Sequence, residues 1–310
     1  MKMHIRLLVI TGAVCAVLAP FVFFFNRTPV LVVTEAPFAA LYGASRLRRQ
    51  QVLASLTLFR QVKPVMIADS ASPDMVALAV TEASPQPFCV LFSRSQARAA
   101  LYFHEQHPET PAALLSGLVS VPEIQSTDSF LCMYGTDREI DLYRAGICAG
   151  ILGRAKQITA PQTAEQDEPA ALTYIFWQDR FMQAAGRDIF TRGVREEDTE
   201  AVIVFVRNAA EIPEATNIAC AVLAGAASEF LEKNLRVPQI LFSWMDPALT
   251  TMEVAVQFDD SVWALAVPAV RMAVRKQAEG HIPSQPLTFS KKVADNNVSR
   301  ALKKSVKKIP

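Results

Sequence analysis

The chain has 310 residues, 51% of them apolar and 20% charged, with a formal net charge of +1. That length accommodates one large domain or two lobes with substantial cores, and the composition is that of a globular protein. A net charge this small excludes a global attraction to nucleic acid or acidic surfaces.

The first element is a charge-free run from Leu7 to Phe25, preceded by Lys2 and Arg6. At about 1.5 Å per residue it spans the hydrocarbon core of a bilayer as a helix. The flanking cations favour an N-terminus held inside and a chain exported behind it. A cleaved signal peptide has a shorter apolar stretch, and here Val17-Leu18-Ala19 is followed by Pro20, a poor junction. Lipidation at Cys15 would leave ten further apolar residues beyond the attachment point. The sequence therefore predicts an uncleaved anchor over residues 1–28, in the inner (cytoplasmic) membrane with the rest on the periplasmic side.

From Pro29 short apolar runs alternate with longer amphipathic stretches, as in parallel sheets covered by helices. Strands are expected at Val30–Val33, at KPVMIAD ending at Asp69, and at PFCVLFS ending at Ser93. Two more fall at LLSGLVSV and SFLCMYG. Helices are expected at Phe38–Arg60, Pro73–Ala83 and Ser95–Glu105. Asp137 is placed to cap a helix from Arg138 to Lys156, whose Gly146 and Gly150 make a narrow face for packing on a sheet. After a polar loop, TYIFW and EAVIVFV read as strands and Pro213–Leu235 as a helix. PQILFSW and MEVAVQF follow as strands, then a helix over Ser261–Glu279 and an extended piece, QPLTFSKKVAD. The last residues, 299–310, read as a basic tail that is solvated or touches a membrane or partner.

The five cysteines (Cys15, Cys89, Cys132, Cys148, Cys220) include no CxxC pair and no Cys/His cluster, so no metal site is expected. Their apolar surroundings favour buried thiols over disulfides. The histidines, His4, His104, His107 and His281, join no nucleophile or metal constellation, and His104 and His107 read as exposed. Without a GxSxG, phosphate-loop or GxGxxG string, neither catalysis nor a cofactor is expected.

Three stretches carry a family resemblance: Asp137 with the YRAGICAGIL that follows it, DRFMQAAGRDIFTRGVRE from Asp179, and MEVAVQFDDSVWALAVPAVRMAVRKQAEG from Met252. With the closing QPLTFSKKVAD, they resemble the type I periplasmic-binding-protein family of ribose-, galactose- and nucleoside-binding proteins. The resemblance covers about residues 29 to 298. It implies a two-lobed α/β fold with two parallel sheets, each flanked by helices; the charge-free run sets one N-terminal hydrophobic helix in front of it. The lobes would comprise residues 29–136 with 258–282, and 137–257 with 283–298. It also implies a small-molecule ligand, a sugar or nucleoside, taken to a membrane transporter or receptor, and no nucleic acid.

Ligands of open parallel sheets lie beyond the carboxyl ends of the strands. In the first lobe this selects Glu35, Phe38, Asp69 and Arg94. In the second it selects Asp179, Arg180, Phe181, Asn208, Trp244 and Asp246. Aromatic faces cover a flat ring, and carboxylate, amide and guanidinium groups make paired hydrogen bonds. Asp69 could equally cap the helix at Pro73, and Trp244 could be hinge packing. Glu35-Ala36-Pro37-Phe38 departs from the sugar and nucleoside fingerprints at that position, which keeps open a second reading: an envelope scaffold with the fold and no ligand.

Overall fold

The computed structural model describes residues 26–117, 131–159, 171–177, 184–214, 217–223, 237–242, 254–286 and 296–308. The run Leu7–Phe25 lies outside them. Among the described residues no helix is long and apolar enough to cross a membrane.

The chain divides into two units, residues 1–135 with 262–280 and residues 136–261 with 281–310. Strands β1 (Val30–Glu35), β2 (Val62–Ile67), β3 (Cys89–Ser93), β4 (Ala112–Gly117) and β5 (Leu131–Thr136) open the first. Between them lie α1 (Ala36–Tyr42), α2 (Ala44–Leu58), α3 (Pro73–Ala83) and α4 (Ala97–Gln106). The second unit begins with α5 (Arg138–Thr159), then β6 (Thr173–Trp177), α6 (Ala184–Arg195), β7 (Val202–Val206), β8 (Ile218–Leu223), β9 (Gln239–Phe242) and β10 (Val254–Asp259). The chain then supplies α7 (Ala266–Val274) and β11 (Glu279–Ile282) to the first unit's layers, and β12 (Gln285–Pro286) and α8 (Asn296–Lys308) to the second's.

The first sheet has the order β11-β5-β4-β3-β1-β2 and the second β12-β10-β9-β8-β6-β7. The pairs from β2 to β5 and from β7 to β10 are parallel, and β12 pairs antiparallel with β10. In each sheet the chain steps outward once, returns past its first strand, and runs the other way. Helices α2 and α7 lie on one face of the first sheet and α3 and α4 on the other, and α5, α6 and α8 cover one face of the second. Double cover is why Val30–Val33 are buried throughout and read as an unbroken apolar run, and Tyr174–Phe176 are buried likewise. Aromatic side chains anchor both cores. Phe92 and Phe103 pack 5.9 Å apart in the first, and Phe176 packs edge-on against Phe190 at 4.6 Å in the second.

Several expected elements differ. The single helix over Phe38–Arg60 is two helices, α1 and α2, because Gly43 takes φ +87°, which a side chain would disfavour. The helix expected over Pro213–Leu235 contains β8, a fully buried central strand. IACAVL is apolar at every position, so periodicity could not separate a buried strand from a buried helix. The helix expected to reach Glu279 ends at Val274, Lys276 turns left-handed, and Glu279 opens β11. Gly146 and Gly150 pack on a helix rather than a sheet. A Cβ on Gly146 would stand 2.9 Å from the Cα of Gly193 in α6. The basic C-terminus is not a solvated tail from 299: it forms α8, which packs on α5 with Leu302 fully buried. Only Gln285–Pro286 of QPLTFSKKVAD is described, as β12.

Candidate functional site

Each sheet reverses its strand order beside its first strand, between β1 and β3 in the first unit and between β6 and β8 in the second. At such a switch point the connections leave toward opposite faces and open a crevice at the carboxyl ends of the strands. In the first unit Glu35, the last residue of β1, occupies this place. Its carboxylate Oε1 accepts a 2.6 Å hydrogen bond from Nε2 of Gln96. Gln96 closes the 3-10 turn Arg94–Gln96 that follows β3 and is only 7% exposed, so the bond ties the two strands' ends across the switch point. One acceptor bond leaves a carboxylate with further acceptor capacity, and an amide brings both a donor and an acceptor.

Phe38 lies in α1, one turn beyond Glu35, and is half-buried. Its ring stacks on Tyr42 at 5.0 Å, and the guanidinium of Arg46 sits 4.4 Å from the Tyr42 ring centre. Below Glu35, Thr34 is buried and accepts a 3.1 Å bond from the indole Nε1 of buried Trp263 while donating to the carbonyl of Val32. This floor holds the end of β1 rigid under the crevice. Asp69 is exposed two residues past β2, and Ser72, not Asp69, stands at the N-cap of α3. Arg94 is exposed in the turn that carries Gln96. Glu35 and Phe38 thus flank the switch point with Gln96, Arg94 borders it, and Asp69 stands on the far side of β1.

In the second unit Asn208 follows β7. Its Oδ1 accepts from the backbone N–H groups of Ala210 and Glu211 at 3.0 and 3.2 Å, and its Nδ2 donates to Glu211 Oε1 at 2.7 Å. Those bonds make it the cap of the short turn Ala209–Glu211. Asp179, Arg180, Phe181, Trp244 and Asp246 lie outside the described residues.

A second polar cluster stands at the start of α5. Asp137 Oδ1 accepts from the Ile140 N–H at 3.1 Å, capping the helix as its sequence position foretold. One turn on, Asp141 is fully buried and accepts from both the backbone N–H of Ser284, at 3.0 Å, and the Ser284 hydroxyl. Burial pushes its carboxyl up to about 7 against the pull of those bonds and of Arg144. Asp260, near Asp259 and Asp141, is pushed up to about 8 by burial first and by those two carboxylates next. The cluster ties α5 to the segment between β11 and β12.

Gln96 and Asp141 were missed in the sequence. Gln96 lies in the loop that pointed to Arg94. A polar residue two positions further along the same turn was the available signal. Asp141 had its own signal, a carboxylate one helical turn past a cap and next to the buried Leu142 and Ala145.

The thiols of Cys89, Cys132, Cys148 and Cys220 are free, buried and pushed up by that burial. His104, expected to be exposed, is buried, and loss of solvent lowers its pKa. Among the described residues no group of three His, Cys, Asp or Glu side chains is arranged to hold a metal ion.

No protein-family profile matches the chain, and no curated protein matches it in sequence. Solved structures do. A solute-binding protein of an ABC transporter system from Conexibacter woesei superposes with a TM-score of 0.56 at 10% identity, covering 91% of this chain and 96% of that one. An arabinose-binding protein from Geobacillus stearothermophilus gives 0.49 at 13% identity, with 89% and 99% covered. A periplasmic solute-binding protein from Actinobacillus succinogenes with bound D-allose gives 0.46 at 10%, with 86% and 98% covered. The first of these carries the fold comparison: the chain has the two-unit α/β fold of the type I periplasmic binding proteins.

Proposed function

We propose that the chain is an extracytoplasmic solute-binding protein, tethered to the inner membrane by Leu7–Phe25, which holds a small polar ligand for a transporter or receptor. The observation that carries this reading is the Glu35–Gln96 hydrogen bond across the switch point of the first sheet. A carboxylate and an amide side by side present acceptors and a donor to adjacent hydroxyls or to the edge of a polar ring. Phe38, one turn on, offers a flat apolar surface of the kind that covers a sugar or a nucleobase. A sugar or nucleoside is therefore the proposed ligand class. The shared fold with a transporter solute-binding protein supports the role. The protein works by binding alone, with no bond made or broken in the ligand.

The test is a thermal-shift and native mass-spectrometry screen of the full chain in detergent against sugars and nucleosides. At a concentration a hundredfold above its Kd, a true ligand adds about 2.7 kcal/mol of stability. Glu35→Gln, which keeps an acceptor for the Gln96 amide but removes the carboxylate, should sharply reduce that gain with little change in the unliganded melting temperature. A screen in which neither class stabilises the chain, with no small molecule retained through purification, rejects the reading in favour of an envelope scaffold.

A further inference from the structure

The outer surface of α2 carries a pattern that ligand binding does not use. From Ala36 through Ala68 the sequence holds five basic residues (Arg46, Arg48, Arg49, Arg60 and Lys63) and no Asp or Glu. On α2, Val52, Leu53 and Leu56 are 49%, 48% and 66% exposed, and Phe59, just beyond its end, is 47% exposed. Steps of three and four residues put Val52, Leu56 and Phe59 on one face, and Arg48 and Arg49 border it one turn earlier, also exposed.

The inner side of the helix is seated, so this face points outward by construction. Gln50 and Ala54 are buried, Gln51 Nε2 donates to the carbonyl of Val62, and Ser55 Oγ accepts from the Val62 N–H. A helix with an apolar stripe bordered by cations fits the headgroup layer of an anionic bilayer. There the side chains enter the acyl boundary and the guanidinium groups meet phosphate.

The position of the chain's entry into the unit points the same way. The Arg27 guanidinium lies 5.3 Å from the Phe59 ring centre and donates to the Phe59 carbonyl at 3.5 Å. Arg60 donates to the Thr28 carbonyl at 3.1 Å. The polypeptide arriving from Phe25 therefore enters beside the stripe, two residues after the charge-free run ends. A second copy of the chain is a poor occupant. A self-complementary contact would lay arginine against arginine, with no carboxylate in the segment to offset them.

We propose that the α2 face from Arg48 to Phe59 lies on the anionic headgroups of the bilayer; this rests on the N-terminal tether of the preceding section. The chain would then be held at two points, by insertion and by a surface helix.

The test uses the full chain with Cys15→Ala, reconstituted into phosphatidylcholine vesicles with or without phosphatidylglycerol. An environment-sensitive fluorophore is placed at Leu56→Cys, or at Glu109→Cys as an exposed reference on the loop after α4. Brominated acyl chains serve as quencher. In phosphatidylglycerol vesicles the Leu56 label should be quenched several-fold more than the reference. The excess should fall toward the reference level with Arg48→Glu/Arg49→Glu and at high salt. Vesicles that float the chain with both labels equally unquenched overturn the docking face and leave the tether standing. Failure to float overturns both. Quenching that ignores both phosphatidylglycerol and the charge reversal overturns the anionic-lipid assignment. Concentration-dependent association through the labelled face without lipid replaces the bilayer by a second copy.

Discussion

At the scale of single residues, the buried carboxylates have a direct consequence for stability. Asp141 is raised to about 7 by burial, with Ser284, Arg144 and Asp137 around it. A carboxyl whose folded pKa lies above its unfolded value of about 3.9 holds its proton more tightly in the folded state. Its contribution favours folding below the unfolded value and is lost as pH rises through about 7. Asp260, raised to about 8, extends that window upward. The denaturation midpoint should therefore fall between pH 5 and pH 8, and Asp141→Asn, which can still accept from the Ser284 N–H, should flatten the fall. Equal slopes in urea titrations of the two proteins would refute burial as the cause. Residues at this scale were unevenly legible in the sequence. The place of Glu35 at the end of β1 was readable because a strand end is a position defined by pattern. Gln96 was not, because a buried amide in a turn has no period to mark it.

At the scale of elements, close packing of α5 on α6 makes a sharp forecast. Gly146→Ala would improve intrinsic helix propensity by about 1 kcal/mol. The added Cβ would collide with the Phe190 carbonyl oxygen of α6 and stand 2.9 Å from the Gly193 Cα, and overpacking of this kind costs about 1–3 kcal/mol, here toward the upper end because backbone cannot swing aside. The variant should therefore be less stable by about 1 kcal/mol or more in chemical denaturation. A stabilised variant would show that the two helices separate freely. The sequence displayed the small-residue face on α5 but not what meets it, since periodicity reports a face and never its partner. The same limit explains α8. Its one apolar stripe, Val298 and Leu302, is hidden among cations until α5 supplies the surface that buries it. Where an element alternates with its neighbours and ends in clear punctuation, as at Pro73–Ala83, sequence and structure agree to the residue.

At the scale of the whole molecule, the chain passes between the two units at residues 135/136, 261/262 and 280/281. Neither unit is a continuous piece of chain. The first needs α7, whose Ala266, Ala269, Val270 and Ala273 are buried, and Trp263, whose indole bonds Thr34. Residues 1–135 expressed alone should therefore lack a cooperative thermal transition, and co-expression with residues 136–310 should restore one. A fragment that melts cooperatively by itself would show that the returning segment is dispensable. The two sheets have the same strand order, although no repeat is visible in the residues that build them. Connectivity of this kind is set by the alternation of strands and helices, which unrelated residue strings can satisfy equally. The two units can therefore differ in chemistry at equivalent places. The strand beside the switch point ends in Glu35 on the first sheet and in the buried Trp177 on the second, so the equivalent place presents a carboxylate in one unit and an indole in the other.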